Sequence, residues 1–172
     1  AQWAARMSNN GTLEINSLHV KNRATVAEAA KRAAAQFGEE GRGALRTLQA
    51  ARGRLDARQL RLMRALEENL NYSRFSVTDD VEGLITHELG HRLDNVGYLK
   101  TGESPQSWFK RVTNASTAQM SPEYRYRLSS YAYSNPLMMR EEVFAESYAA
   151  YITGDHGSLA PEMLNLFREV VP

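Results

Sequence analysis

The chain has 172 residues, 42% of them hydrophobic and 24% charged, the proportions of one soluble globular domain large enough to form a core without staples. A formal net charge of +1 excludes a bulk electrostatic case for nucleic acid or an anionic membrane. The absence of cysteine excludes both a disulfide framework and a thiolate metal site, so histidine and carboxylate must supply any ligands. No apolar run reaches the roughly eighteen residues of a membrane span, and no signal-peptide core opens the chain. The sequence begins Ala1-Gln2-Trp3 without an initiator Met, which suggests a processed product or a domain excised from a longer polypeptide.

In chain order, Ser8-Asn9-Asn10-Gly11 is a turn cluster, and the alternation Thr12-Leu13-Glu14-Ile15-Asn16 predicts a short strand. Thr25-x-x-Glu28 caps an Ala-rich helix running to about Phe37 and stopped by Gly38. A Gly-punctuated segment, Gly38 to Gly43, then leads to a second helix near Ala44–Ala51. Asp56 caps a third, whose Leu60, Met63, Leu66 and Leu70 recur at helical spacing and predict a core face. Arg52, Arg54, Arg58, Arg61 and Arg64 read as a solvated face. Tyr72–Val77 is either a connector or a short strand, and as an edge strand it could accept an extended peptide by β-addition. Short helices follow at Pro105–Val112, with Trp108 and Phe109 as core, and at Pro122–Ser129, each preceded by Ser.

Between these lies Ile85-Thr86-His87-Glu88-Leu89-Gly90-His91-Arg92-Leu93-Asp94-Asn95, which contains H-E-x-x-H. On a helix, this spacing sets the two imidazoles on one face about 5–6 Å apart at Cβ, within reach of one metal ion. Glu88 then sits where a general base can take a proton from a water. The helix itself is well specified. Asp79-x-x-Glu82 reads as its N-terminal cap, Val81, Leu84, Ile85 and Leu89 as its apolar side, and Gly97 as its stop.

A third ligand is expected from the helix that Asn135-Pro136 opens and Gly154 closes. Glu142 and Glu146 are i and i+4 on it and share a face, where they repel unless something cationic stands beside them. Ala145, Ala149 and Ala150 would let another helix approach closely. Glu141 faces away from Glu146, and a metzincin-type third histidine, six residues after His91, would fall on Gly97. His19 and His156 have no motif context.

The H-E-x-x-H of His87–His91 and the later Glu142-Val143-Phe144-Ala145-Glu146 together resemble the gluzincin metallopeptidases of the anthrax lethal factor and Pro-Pro endopeptidase branch. That family carries H-E-x-G-H and then E-F-F-A-E on a later helix, and the resemblance covers about residues 75–152. It implies that His87, His91 and Glu142 bind one zinc ion, that Glu88 is the base, and that Glu146 orients a histidine ligand. Asp94, three residues after His91, is a further candidate for fixing an imidazole. The family's oxyanion-stabilising Tyr, seven residues before the ligand Glu, falls on Asn135 here. Tyr133 is the first substitute for it and Tyr131 the second.

These readings predict an α+β but mostly helical zincin-like domain with a small β-sheet and an active-site helix. Residues 1–73 would be a mainly helical N-terminal part, 74–154 the metal-site core and 155–172 a C-terminal helix. The expected activity is zinc-dependent hydrolysis of peptide bonds in a protein or peptide substrate, with no nucleic-acid or membrane partner. The family suggests a secreted or delivered toxin or effector, or a phage-associated protease. One rival is a non-catalytic, zinc-stabilised binding or structural module of a phage or toxin polyprotein, although a structural zinc usually has four protein ligands. Another is a zinc hydrolase acting on a non-protein amide.

Overall fold

Helices dominate the computed structural model, which describes residues 5–8, 12–15, 23–70, 72, 74–78, 80–134 and 137–172. Among these residues β-structure is confined to one antiparallel ribbon, β1 (Ala5–Met7) with β2 (Leu13–Ile15), in which Ala5 faces Ile15 and Met7 faces Leu13. β2 lies where alternation predicts a strand, and β1 rests against the H-E-x-x-H helix. Asn9–Gly11 of the turn cluster lie outside the described residues, as does His19.

The two helices expected on either side of Gly38–Gly43 are one, α1 (Arg23–Ala50). Glycine costs a helix interior only about 1 kcal/mol per residue, and neighbours offset it here. Gln36 donates to Glu40 one turn on, and Gly41 is buried against Leu70 at the end of α2 (Ala57–Asn69). Asp56 caps α2 reciprocally: its Oδ1 accepts from Gln59 N at 2.8 Å, and Gln59 Oε1 accepts from Asp56 N at 3.0 Å. Met63 is the buried member of the α2 stripe, while Arg52, Arg54, Arg58, Arg61 and Arg64 are all exposed.

The stretch read as a connector or a short strand, Tyr72–Val77, contains no strand among its described residues. Its backbone is committed elsewhere. The carbonyls of Arg74 and Phe75 accept from Ser130 N and Tyr131 N at 3.0 and 2.8 Å, and Val77 N donates to Glu146.

The H-E-x-x-H helix, α3 (Val81–Val96), is capped by Asp80, whose side chain accepts from Gly83 N; Asp79 lies outside the described residues. Its buried positions are Val81, Gly83, His87, Glu88, Gly90 and Asp94, whereas Leu89 is exposed. Of the expected apolar side Val81 is buried, Leu84 and Ile85 are half-buried and only Leu89 is exposed, while small and polar groups make up the rest of the buried face. Gly97 does not stop the helix in a left-handed turn, since its φ is −58° and the chain runs on into α4 (Tyr98–Thr101). It is small for another reason: a Cβ there would lie 2.1 Å from the Trp108 ring.

Two helices follow, α5 (Pro105–Gln119) and α6 (Pro122–Leu128), the first two turns longer than its sequence signal. Trp108 is buried as expected, but Phe109 is 58% exposed, because the adjacent residue points to a different side of the helix. A 3-10 turn at Tyr131–Tyr133 precedes α7 (Met139–Ile152), which starts later than the Asn135-Pro136 signal; those two residues lie outside the described set. The last helix is α8 (Pro161–Val170). The main core gathers Trp108, Val112, Leu128, Val143, Phe144, Met163 and Phe167 from α5 to α8. No described helix is long and apolar enough to cross a membrane.

Candidate metal centre

Helices α3 and α7 pack against each other with opposite chain directions. His87 meets Glu146, His91 meets Glu142, and one turn further Asp94 meets Arg140. Between these rungs the backbones nearly touch, since a Cβ on Gly90 would stand 2.8 Å from Ala145 Cα. Small residues at 90 and 145 thus set the helix separation that lets short side chains meet across the gap.

The result is a cluster of three possible ligands. One atom each from His87, His91 and Glu142 lies within 4.8 Å of the others. Glu142 Oε2 is 3.2 Å from His87 Nε2 and 3.7 Å from His91 Nε2. Donors held by one tetrahedral zinc at about 2.1 Å stand about 3.4 Å apart, so these spacings suit a shared ion. Apart from these two ring nitrogens the same oxygen is buried with no hydrogen-bond partner, so it calls for a positive charge there, either a protonated ring or a metal ion. Two imidazoles and a carboxylate suit zinc and also other first-row divalent ions.

Charge shapes the cluster. Burial disfavours a charged His87, but Glu142 and Glu146 more than offset it and raise its pKa to about 10. Burial likewise opposes the Glu142 carboxylate, yet His87 and His91 hold its pKa down at about 2. Glu146 is 1% exposed, and despite burial its pKa is lowered by His87, Ser129 and Val77. It lies 2.9 Å from His87 Nδ1 and accepts from Ser129 Oγ at 2.6 Å, Val77 N at 2.8 Å and Ser76 Oγ at 3.2 Å.

The two tyrosine candidates part company. Tyr131 sets its ring edge-on to His87, with centroids 5.6 Å apart. Its pKa is raised by burial first and then by the charges of Glu142, Glu146 and Glu88. Tyr133 is buried away from the cluster, stacked on Tyr72 and donating to Gln119 O. The second choice, not the first, faces the site. Tyr131 N is pinned to Phe75 O, which orients the turn so that alternate residues face opposite ways.

Glu88 is buried beside His87 on α3. Asp94 does not reach an imidazole nitrogen: both its oxygens are taken by Arg140, at 2.9 and 3.0 Å. Sequence reasoning passed over Arg140, Ser76 and Ser129. The serines carry no local signal, whereas Arg140, two residues before Glu142, and Asp94, three after His91, had a detectable opposite charge at matching offsets. No family model, curated protein or solved structure matches this chain.

Proposed function

We propose that this chain is a zinc-dependent endopeptidase, a zincin-like domain in which His87, His91 and Glu142 hold the ion and Glu88 is the general base. The observation that carries the reading is the convergence within 4.8 Å of three ligand atoms, two from α3 and one from α7, with Glu88 buried beside the first histidine on α3. Zinc bound there would act as a Lewis acid and lower the pKa of a coordinated water towards about 7.

The residues divide the remaining work. Glu88 accepts the proton of the attacking water and returns it to the leaving amine. Tyr131 donates a hydrogen bond to the oxyanion, since a tyrosine phenol, with an ordinary pKa of about 10, is protonated at neutral pH. Glu146 holds His87 Nδ1, which leaves Nε2 directed at Glu142 and the ion. The resemblance to lethal-factor-type gluzincins favours a protein or peptide substrate and a secreted or delivered toxin or effector, or a phage-associated protease.

The decisive experiment assays zinc content and peptide-library cleavage in the parent and in Glu88→Gln. The variant should keep the parent's zinc and lose cleavage by several orders of magnitude. Equal cleavage by both proteins would overturn the mechanism. Zinc in both with cleavage by neither would favour a non-catalytic module.

A further inference from the structure

Of the α7 carboxylates at the cluster, Glu146 is fixed by three donors besides His87, whereas Glu142 Oε2 has no hydrogen-bond partner beyond its approaches to the two histidines. Apart from the two histidines it faces, the placement of Glu142 rests on the helix that carries it. That helix begins at Met139 with no side-chain cap, and its first turn holds Arg140 together with Glu141 and Glu142. Arg140 donates to its neighbour Glu141 at 3.1 Å, a contact within α7 that fixes nothing between helices. Its link across the helix pair is to Asp94: its two terminal nitrogens grip both oxygens of that carboxylate, at 2.9 and 3.0 Å.

Helix α5 fixes this grip from a third side. Trp108 Nε1 donates to Asp94 O at 2.7 Å, and the guanidinium of Arg140 lies 5.1 Å from the centre of the Phe109 ring. The exposed Phe109 thereby acquires a role. Asp94 is one turn beyond His91, and Arg140 is two residues before Glu142. A fork-to-carboxylate link at these offsets sets the axial position of α7 relative to α3.

We propose that Arg140 is a positioning residue of the metal centre, holding Glu142 opposite His91 through its two-point link to Asp94. The inference rests on the metal-binding part of the proposed function and is independent of hydrolysis. Loss of the link lets the start of α7 slide, so the carboxylate leaves the imidazoles while Glu146 and His87 stay joined.

The test measures zinc affinity by chelator competition, and the visible spectrum of the Co2+-loaded protein, for the parent, Arg140→Gln, Arg140→Lys, Glu142→Ala and Arg111→Gln. Arg111 pairs with Glu103 and Glu169 and lies 5.9 Å from the centre of the Trp108 ring without bonding to Asp94 or Arg140, and serves as a control for loss of a guanidinium beside the grip. Arg140→Gln should weaken zinc binding about 10- to 100-fold and shift the Co2+ spectrum towards that of Glu142→Ala. Arg140→Lys, a point charge without the fork, should fall between it and the parent. Arg111→Gln should match the parent.

Parental affinity and spectrum in Arg140→Gln would overturn this inference alone. A folded parent that takes up neither Zn2+ nor Co2+ would overturn the metal reading with it. If Arg140→Gln does not fold, Asp94→Asn with Arg140→Gln removes the unpaired buried charge. Parental affinity in that double variant would likewise overturn the inference.

Discussion

His87 Nδ1 stands 2.9 Å from Glu146, while Nε2 of the same ring stands 3.2 Å from Glu142. One imidazole thus has a carboxylate at each nitrogen. Without a metal, the arrangement that satisfies both carboxylates is the doubly protonated ring, which is why its pKa rises to about 10 against burial.

This has a measurable consequence for pH. A metal ligand must be a neutral imidazole, so zinc binding at pH 7 should release about one proton from His87. Calorimetry in buffers of different ionisation enthalpy reads that number directly, and no release would contradict the assignment. The metal-free chain carries the matching stability signature. The His87 contribution is complete below its ordinary pKa of 6.5 and is lost as pH rises through about 10. That of Glu142 is complete above 4.5 and lost as pH falls through about 2. From these two groups, apo stability should peak between 4.5 and 6.5 in a urea-unfolding series.

Tyr131 and Tyr133 should separate cleanly. Tyr131→Phe keeps the ring against His87 but removes the oxyanion donor, so kcat should fall about 10²- to 10³-fold with zinc content unchanged. Tyr133→Phe instead leaves Gln119 O without its donor and should cost about 1 kcal/mol of stability, with kcat at the parental value. Steady-state kinetics beside thermal unfolding distinguishes the two, and the reverse pattern would restore Tyr133 as the active phenol.

Gly90→Ala tests the helix approach. The new methyl would meet Ala145 Cα at 2.8 Å and its carbonyl oxygen at 3.1 Å. Backbone cannot swing aside as a side chain can, so α7 must back away. A loss of about 1–3 kcal/mol is expected, with weaker zinc binding as Glu142 recedes from the imidazoles. Gly43→Ala is the contrast: nothing stands within 4 Å of its added Cβ. That change should stabilise α1 by about 0.5–1 kcal/mol. Chemical denaturation of both variants decides the point.

What could be read from the sequence was whatever is local to one helix. The i, i+4 spacings of His87 with His91 and Glu142 with Glu146 survive in the structure because helical geometry alone sets them. The Asp56 cap and the Ser104-Pro105 start of α5 are local for the same reason. What could not be read depends on partners distant in the chain. The backbone of residues 74–77 looks like a strand until its carbonyls are seen to serve Ser130 and Tyr131. Leu89 looks like core until α3 is seen to bury its glycine and histidine face against α7. Asp94 looks like a histidine's partner until Arg140 claims both its oxygens. Which tyrosine faces the cluster was set by the orientation of a 3-10 turn, and alternating tyrosines encode no preference.

The opposed directions of α3 and α7 have a consequence for how the centre comes into being. Residues 97–138 separate the two helices, and α4 to α6 occupy most of that span. A chain still closing this long loop offers an ion only the His87–His91 pair, which lies within one helix and can form early. Glu142 would join them only once the intervening helices have docked. On the proposed metal reading, tight capture of an ion would therefore be a signal of finished folding, and the centre would act as a latch that closes on the completed domain.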